Sequence, residues 1–316
     1  MRDLVDKTVR ECVVSEQFEG QRLDNYLLRE WRGVPRSLIY RLIRNGHIRV
    51  NVGRVRPDCR LSTGDRLRLP ASVRVPEAPP PTHARPLALQ VLYEDEILLA
   101  VDKPAGLAVH GGSGVAHGVI ERLRAHLPQH AFLELVHRLD RDTSGVLLLA
   151  KKRSALTAIQ QQWRAQKVEK KYTALVLGVW QAEQHREIKL PLKRIVAANG
   201  NRHVIVDSAG KNAYTRTRLL QQYSNSALLE ADLQTGRTHQ LRVHFATQQL
   251  PILGDERYGN FALNHSAARA GWQRMFLHAQ QLAFTHPQST ERVQIFSPLA
   301  EEFTLAAQWL AQQRTR

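Results

Sequence analysis

The sequence predicts an α+β protein with a small N-terminal αβ module and a larger domain, which has a long, largely antiparallel mixed sheet flanked by helices. Apolar runs of strand length follow one another without a helix regularly placed between them, which argues against a doubly wound parallel sheet. A proline-rich segment separates the first 72 residues from the rest of the chain. A short charged loop then lies between two apolar runs near the middle of the sequence.

That charged loop, residues 137–145 (HRLDRDTSG), is the segment around which the larger domain is organised. It follows an apolar run at 132–136 and precedes another at 146–150, so the pattern predicts strand, polar loop, strand. Arg138 and Arg141 bracket one carboxylate, Asp140. A loop held between two buried strands is a rigid place for a reactive side chain. An ordinary charged surface turn would have the same composition, so the loop alone leaves both interpretations open.

The chain has 316 residues, 43% of them hydrophobic, and a formal net charge of +16. An excess of positive charge on this scale indicates a polyanionic partner, either nucleic acid or an acidic membrane surface, unless it is simply solvated. Two cysteines, Cys12 and Cys59, exclude a disulfide framework and a four-thiolate metal site. The start of the chain lacks the apolar core of a signal peptide, and no stretch is long enough to span a bilayer. We therefore expect a soluble, cytoplasmic protein with no membrane partner.

Residues 1–17 are expected to form an extended leader, with one possible strand at 9–14. Residues 18–72 then show a helix–helix–hairpin pattern. Leu23, Leu27 and Trp31 recur at helical spacing, Pro35 starts a second helix, and Asn45-Gly46 ends it. Alternating apolar residues follow, with turns at 53 and 62–65, and predict a hairpin that ends near residue 70.

The charge of this module comes almost entirely from arginine, with Arg36, Arg41 and Arg44 on or beside the second helix and Arg49 on the hairpin. Guanidinium groups bind phosphate bidentately and stack on bases. An arginine face on a small αβ module therefore indicates structured RNA. The segments GQRLDNYL and PRSLIYRLIRNGHIRVN resemble the small RNA-binding domain named after ribosomal protein S-four, over residues 18–72.

A proline-rich linker is predicted at 73–87, and the larger domain spans 88–316. Its further predicted elements are a strand pair at 91–101, a helix that ends near 127, a helix at 154–165, strands at 170–177 and 227–233, closing strands at 276–284 and 293–296, and a helix at 300–313. A glycine-rich loop at 110–114 lacks the lysine and the spacing of a P-loop. Residues 187–206 are expected to be basic and partly irregular. GRTHQLRVH predicts a turn that leads into a helix, with Thr238 and Arg242 on one face.

Three separated motifs, HRLDRDTSG, KKYTA at 170–174 and GRTHQLRVH at 236–244, occur in that order. Together they closely resemble the RluA/RluC group of pseudouridine synthases, which modify large-subunit ribosomal RNA. The KPAG turn at 103–106, the HGG loop and PILGDERYG at 251–259 match as well, and the resemblance extends over almost the whole chain. It implies the pseudouridine synthase fold, with the RNA cleft across the centre of the sheet.

The resemblance implies that the protein isomerises uridine in RNA: the bond from base to ribose breaks, and the base rejoins through carbon 5. Asp140 matches the catalytic aspartate, as a nucleophile toward sugar or base or as a base that removes a ribose proton. Arg242 matches its partner, which is expected to hold the carboxylate ionised and oriented. Tyr172 matches the aromatic residue that stacks on the uracil, and Leu241 matches an apolar residue of the same pocket. Arg138 matches the residue that fills the gap left by the flipped base.

Because no atom is gained or lost in this reaction, no cofactor and no metal are expected. The implied partner is large-subunit rRNA, and a monomer is the default expectation. A non-catalytic rRNA-binding or assembly factor would explain the charge and the N-terminal module equally well, but not the three motifs together. A kinase is disfavoured because Leu139 precedes Asp140 and no glycine-rich nucleotide loop comes before it. A metal hydrolase that uses His137 and Asp140 lacks a second ligand pair at a convincing spacing.

Overall fold

The structure, a computed structural model, describes residues 9–31, 34, 36–71, 73, 87, 89–111, 117–181, 185–196 and 202–313, with the backbone alone at 36, 37 and 202. Most of the predicted linker, the first half of the leader, residues 112–114 of the glycine-rich loop and the side chain of Arg36 lie outside the described residues. The chain divides into two units, Met1–Arg85 and Pro86–Arg316. Among the described helices, none combines the length and the apolar character that crossing a bilayer requires.

The described part of the N-terminal unit has two α-helices, a short 3₁₀ helix at Glu16–Phe18 and a four-stranded sheet with the order β1-β4-β2-β3. These elements are β1 (Val9–Val13), α1 (Leu23–Glu30), α2 (Arg36–Arg44), β2 (Arg49–Val50), β3 (Gly53–Arg54) and β4 (Arg66–Pro70). Leu23, Leu27 and Ile39 from the two helices are fully buried against Leu67 and Leu69 of β4. The apolar faces of the helices therefore cover one side of a small sheet, as the periodicity predicts.

Strand β1, expected within a separate leader, belongs to this sheet. It pairs antiparallel with β4 over its whole length, with Val9 opposite Pro70 and Val13 opposite Arg66. Val14, which follows the strand, is 1% exposed and lies in the same apolar core. The described part of the leader is therefore integrated into the N-terminal fold. Its sequence was too weakly patterned to predict this pairing, since β1 itself is mostly exposed.

The larger unit has a ten-stranded sheet, a separate two-stranded ribbon and five helices among its described residues. The strands are β5 (Val91–Glu94), β6 (Leu98–Lys103), β7 (Glu134–Leu135), β8 (Ser144–Ala150), β9 (Glu169–Leu177), β10 (His185–Lys189), β11 (Leu192–Val196), β12 (Arg202–Val206), β13 (Tyr214–Gln222), β14 (Ser226–Leu233), β15 (Leu277–Thr285) and β16 (Arg292–Phe296). The helices are α3 (Val119–His126), α4 (Arg153–Arg164), α5 (Gln240–Thr247), α6 (Phe261–Arg269) and α7 (Glu302–Gln312).

The strand order is β10-β13-β14-β9-β15-β8-β6-β5, with β16 beside β15 and β7 beside β8. Every pairing in this sheet is antiparallel except that of β8 with β15, where Ser144 lies opposite His278 and Gly145 opposite Ala279. The predicted α+β class, with a largely antiparallel mixed sheet and flanking helices, is confirmed. The single parallel contact lies where the two halves of the sheet meet, directly after the charged loop.

Gly145 makes this parallel contact possible. Its φ angle of +108° lies in the region that side chains disfavour, and a Cβ atom at this position would lie 2.2 Å from the carbonyl oxygen of Ala279. The final glycine of the HRLDRDTSG motif therefore lets the backbones of β8 and β15 approach closely. This approach fixes where the charged loop ends relative to the centre of the sheet.

Helices cover both faces of the sheet, and neighbouring residues of a strand pack against different helices. Leu148 of β8 lies in a core with Ile159 of α4, whereas Leu149 lies in a core with Leu123 of α3. Because side chains alternate along a strand, this arrangement buries both faces of the central strands. The apolar run at 146–150 reflects that double burial.

Several regions differ from the sequence-based expectation. The described part of 187–206, a region expected to be basic and partly irregular, contributes to β10 and forms the ribbon of β11 and β12, in which Leu192 lies opposite Val206. Strand β13 and helix α6 were not predicted. Strand β13 carries polar side chains at most positions and contributes few buried ones, so its sequence lacks a clear alternating pattern. Conversely, the apolar run at 132–136 forms only the two-residue strand β7.

Candidate active site

The charged loop that connects β7 and β8, residues 137–143, is fixed to the sheet at its first residue. The His137 Nε2 atom accepts a hydrogen bond from the backbone N–H of Leu148 at 3.0 Å. The imidazole stacks on Trp163 of α4, with ring centroids 4.8 Å apart and planes 22° apart. Burial lowers the pKa of His137 to about 4, against the opposing effect of a hydrogen bond with the Arg138 backbone. The neutral ring that results can act as the acceptor that this contact needs.

A buried lysine fixes the middle of the same loop. The Lys103 side chain, at the end of β6, is fully buried, and its ammonium donates to the backbone carbonyls of Pro104, Leu107 and Arg141 at 2.8, 2.8 and 2.9 Å. Burial lowers its pKa to about 8, while the charges of Asp142 and Asp140 oppose that change. Lys103 therefore ties the loop to the turn after β6 through three charge-assisted hydrogen bonds.

Asp140 lies at the centre of the loop, and its side chain is 27% exposed. Its Oδ2 atom lies 3.4 Å from Nη1 of Arg242 and 3.9 Å from Nε2 of His239. Burial lowers the pKa of His239, whereas the nearby Asp140 charge opposes that shift. The carboxylate thus faces a fixed cation while it keeps access to solvent.

Arg242, the third residue of α5, is held by a second carboxylate. Asp255 accepts from Arg242 Nε at 2.8 Å and from Nη2 at 2.7 Å, and the two side chains are only 1% and 8% exposed. Burial opposes the charged form of Arg242, but hydrogen bonds and charge from Asp255 and Asp140 outweigh it and raise its pKa. Burial likewise opposes ionisation of Asp255, yet the hydrogen bonds and charge of Arg242, with backbone N–H groups, lower its pKa. A bidentate pair of this kind fixes the guanidinium plane, so that Nη1 points at Asp140.

Helix α5 begins later than the sequence suggests. Thr238 lies in the turn before Gln240, where its hydroxyl accepts from Arg194 Nη2 at 3.0 Å. The prediction that Thr238 and Arg242 share a helix face is therefore wrong. His239, at the start of the helix, has a left-handed backbone with φ of 54°, which ends the turn and starts the helix one residue later.

A cavity of about 430 Å³ opens beside Asp140 and contains all five residues predicted for the reaction. They are Arg138, Asp140, Tyr172, Leu241 and Arg242. Tyr172 stands on β9 opposite two alanines, Ala231 of β14 and Ala279 of β15, which leave room for its ring. Burial, with a further contribution from the Asp140 charge, raises the pKa of Tyr172, so the phenol stays neutral. Leu241 is 3% exposed and supplies an apolar wall.

Comparison with known proteins gives the family. Residues 97–247 match the family model described as RNA pseudouridylate synthase, and residues 21–67 match the S4 domain. Ribosomal large subunit pseudouridine synthase C of Haemophilus ducreyi is 47% identical over 300 residues, which cover 93% of each chain. The protein of the same name from Escherichia coli K12 is 44% identical over 302 residues, covering 93% of this chain and 94% of that one.

The chain belongs to the RNA pseudouridylate synthase family. It is an isomerase with an RNA-binding S4 domain at its N-terminus. Among solved structures, human RNA pseudouridylate synthase domain containing 1 is similar, with a TM-score of 0.58 and 25% identity over 69% of this chain and 87% of that one. Human RNA pseudouridylate synthase domain containing 4 has a TM-score of 0.56 and 26% identity, over 72% and 94% of the two chains.

The synthase has a second cavity, also about 430 Å³, on another side of Asp140. The two cavities share Arg138, Asp140 and Arg242, and the second one adds Arg141 and Arg257. Arg138 itself is exposed. The carboxylate thus stands between two cavities that both carry arginine side chains, and the first of them also has an aromatic and an apolar wall.

In the S4 domain of the synthase, Arg41 and Arg44 are exposed on α2. Arg49 is half-buried and donates to the carbonyls of Gly46 and Val52, both at 3.3 Å. It lies opposite Arg54 on one side and Arg68 on the other, which makes a row of three arginines across the sheet. Like charges placed opposite each other destabilise a sheet. This row is therefore consistent with a polyanionic ligand.

Asp255 is a site residue that sequence reasoning missed. It lies in PILGDERYG, which matched the family, but no role was assigned to its acid. The available signal was physical: an arginine that lies in an apolar helix and faces one carboxylate needs a second acceptor for its remaining N–H groups. Only the fold shows that this loop reaches α5.

Proposed function

We propose that this synthase converts specific uridines of large-subunit, 23S-type ribosomal RNA to pseudouridine, with Asp140 as the catalytic carboxylate. The observation that carries the proposal is the arrangement of Asp140, Arg242 and Tyr172 around one cavity. The names of the relatives supply the RNA class. The isomerisation needs no redox cofactor and no energy source, because the product contains the same atoms as the substrate.

The role of Arg242 is to keep Asp140 charged and aimed at the substrate. An aspartate at the edge of an RNA-filled pocket would lose part of the water that solvates its charge. A guanidinium 3.4 Å away, itself held by Asp255, compensates for that loss and fixes the direction of the carboxylate. The ionised carboxylate then acts as a nucleophile toward the sugar or the base, or removes a ribose proton.

Tyr172 and Leu241 hold the base during the reaction. Once the bond to ribose has broken, the free uracil must turn and rejoin without leaving the pocket. Stacking of a base on an aromatic ring contributes about 1–3 kcal/mol. An apolar wall on another side of the same cavity restricts the remaining motion. The neutral phenol avoids charge repulsion with a base that becomes electron-rich.

The target base must leave the RNA stack before it can react. Arg138 is exposed and lines both cavities, so its guanidinium is placed to occupy the gap left by the base. The uracil then enters the pocket of Tyr172, and the sugar–phosphate chain follows the second cavity, where Arg141 and Arg257 face the backbone. Asp140, which borders both, stands beside the ribose carbon.

The S4 domain would add affinity for rRNA through the exposed Arg41 and Arg44, the row that contains Arg49, and Arg36 at the start of α2. Most of that affinity would come from phosphate contacts and would fall with salt. We further propose that the protein acts as a monomer in the cytoplasm, where rRNA matures. Light scattering of the purified protein tests the monomer directly.

Incubation of the purified protein with unmodified large-subunit rRNA, followed by mapping of pseudouridine, tests the proposal. Small-subunit rRNA of the same preparation is the matched control. Product at a few large-subunit positions, with none in the small subunit, is the expected result. Tight binding without product in either RNA would instead support the alternative function, a non-catalytic rRNA-binding or assembly factor.

A further inference from the structure

Lys170 is a buried cation that faces the active-site cavity. It lies on β9, two residues before Tyr172, and both side chains line the same cavity. Side chains two positions apart point to the same face of a strand. Lys170 is only 5% exposed, so the solvent that normally surrounds an ammonium is largely absent.

The ammonium of Lys170 has no ionic partner among the described residues, where no carboxylate oxygen lies within 4.0 Å of it. Its one described contact is with the Trp163 ring, whose centroid lies 5.7 Å from Nζ. Burial lowers its pKa, and the more distant charge of Asp232 opposes that shift. A buried ammonium with so little compensation costs free energy in the unliganded protein.

Lys103, the other buried lysine of this unit, shows what a satisfied ammonium requires. All three of its donor positions are used by backbone carbonyls at 2.8–2.9 Å. Lys170 has no such set of acceptors in the described structure and instead lines the pocket in which the base would stack. The missing acceptor is therefore expected on the ligand.

We propose that the Lys170 ammonium donates a hydrogen bond to O4 of the target uracil and stabilises the negative charge that this oxygen acquires during the reaction. The inference rests on the proposed function. It adds a catalytic residue that recognises the base, beside Asp140, which acts at the sugar or at carbon 6.

Negative charge develops on O4 by each route left open for Asp140. If the N1–C1′ bond breaks first, the electron pair stays on N1 and is shared through the ring with O2 and O4. If the carboxylate adds to carbon 6, the electrons of the C5–C6 bond move toward C4 and O4. In each case a bond from carbon 5 to C1′ replaces the N1–C1′ bond, carbon 5 loses its proton and N1 gains one. Asp140 ends as a free carboxylate, because its bond to carbon 6 or to C1′ breaks again, or because the ribose regains the proton that it gave up. A preplaced donor at O4 lowers the barrier because it binds this charge more strongly than the neutral carbonyl.

The same contact would select uridine over cytidine. Cytosine carries an amino group where uracil carries O4, and an ammonium has donors only. A cytosine in this pocket would place two donors against each other in a site with little water. Sites built around a buried hydrogen bond reject analogues that cannot form it.

Single-turnover rates of four proteins test the inference: wild type, Lys170→Met, Lys170→Arg and the matched control Lys171→Met, which alters the neighbouring lysine outside the cavity. Lys170→Met should slow the reaction about 10²–10³-fold, as the loss of one oxyanion donor does elsewhere. The dissociation constant for RNA should change less than about threefold. Lys170→Arg should recover part of the rate, and Lys171→Met should react at the wild-type rate.

Substrate RNA with 4-thiouridine at the target identifies the atom, since sulfur is the poorer acceptor. For each protein, the 4-thiouridine factor is the ratio of the rate with uridine to the rate with 4-thiouridine at the target. This factor should be large for wild type and about one for Lys170→Met, whereas the corresponding factor for 2-thiouridine should be the same for the two proteins. Lys170→Met should also unfold at no lower temperature than wild type, because it removes an unpaired buried charge.

An active wild type with an equally fast Lys170→Met, or with the same 4-thiouridine factor in both, would overturn the inference and leave the proposed function intact. A wild type that forms no pseudouridine would overturn both. Should Lys170→Met fail to fold, which would itself point to a structural role, the 4-thiouridine factor of Lys170→Arg still provides the comparison.

Discussion

The pair formed by Arg242 and Asp255 offers the sharpest separation between stability and catalysis. Asp255→Asn keeps the shape of the side chain and an oxygen that can accept from backbone N–H groups. It removes the negative charge that neutralises the guanidinium of Arg242, whose side chain is only 8% exposed. Breaking one partner of a buried pair costs about 3–5 kcal/mol. Because the amide keeps part of the hydrogen bonding, we expect the free energy of unfolding to fall by about 3 kcal/mol.

Asp140→Asn provides the contrast. Its carboxylate is 27% exposed and lies 3.4 Å from Arg242, so its contribution to stability resembles that of a surface pair, about 0–1 kcal/mol. The rate should respond in the opposite order. Asp140→Asn should abolish isomerisation, whereas Asp255→Asn, which only releases the orientation of Arg242, should slow it by about 10²-fold.

Urea unfolding followed by tryptophan fluorescence measures the free energy of unfolding, since four of the five tryptophans lie in the larger unit. Single-turnover formation of pseudouridine measures the rate of isomerisation. An Asp255→Asn protein as stable and as fast as wild type would show that Asp255 does not hold Arg242. A variant of lowered stability but wild-type rate would show that the orientation of Arg242 is unimportant for catalysis.

Three further predictions concern the loop and the S4 domain. The pKa of His137 is about 4 in the folded protein against an ordinary 6.5, so its neutral ring stabilises the fold fully above pH 6.5, and roughly 3 kcal/mol of that stability is lost as the pH falls through 4. His137→Gln should remove this part of the pH dependence of urea unfolding, and an unchanged pH dependence would contradict the lowered pKa of His137. Lys103→Met should leave three backbone carbonyls unpaired, including that of Arg141 in the charged loop. We expect the free energy of unfolding to fall by roughly 2–3 kcal/mol and the single-turnover rate to fall at unchanged RNA affinity. A stable, fully active variant would show that Lys103 does not hold the loop. Arg41→Ala and Arg44→Ala should weaken rRNA binding and reduce the slope of log affinity against log salt concentration by about one per lost phosphate contact. Filter binding measures this slope, and an unaltered slope would show that the RNA does not contact Arg41 and Arg44.

The sequence was most informative where local pattern and burial agree. Strand β8 is buried on both faces and reads as a continuous apolar run, and helix α4 has a clear apolar stripe, so both were predicted within one or two residues. The pairing of β8 with β15 could not be predicted, because the paired residues lie more than 130 positions apart in the sequence and the requirement is a close backbone approach at Gly145.

Elements without a strong pattern were missed for a common reason. Strand β13 and the ribbon of β11 and β12 are largely exposed, so pairing with neighbouring strands, rather than their own periodicity, defines them. The start of α5 was placed too early because His239 adopts a left-handed backbone that no residue pattern announces. Tertiary context decided each of these cases.

In the candidate site, too, local motifs were predictable from the sequence and contacts across the fold were not. The motifs placed Asp140, Tyr172, Leu241 and Arg242, and the structure brings these side chains around one cavity. Asp255 remained unassigned because its function depends on a contact across the fold.

Variants of two neighbouring aspartates in the charged loop test the proposal that Asp140 performs the chemistry. Single-turnover formation of pseudouridine in large-subunit rRNA would be measured for wild type, Asp140→Asn and Asp142→Asn. Asp142 is the matched control, since it lies two residues away and is paired with the exposed Arg141 at 3.0 Å. We expect no product from Asp140→Asn despite wild-type RNA affinity, whereas Asp142→Asn should still form product. Product from Asp140→Asn at the wild-type rate would contradict the proposal.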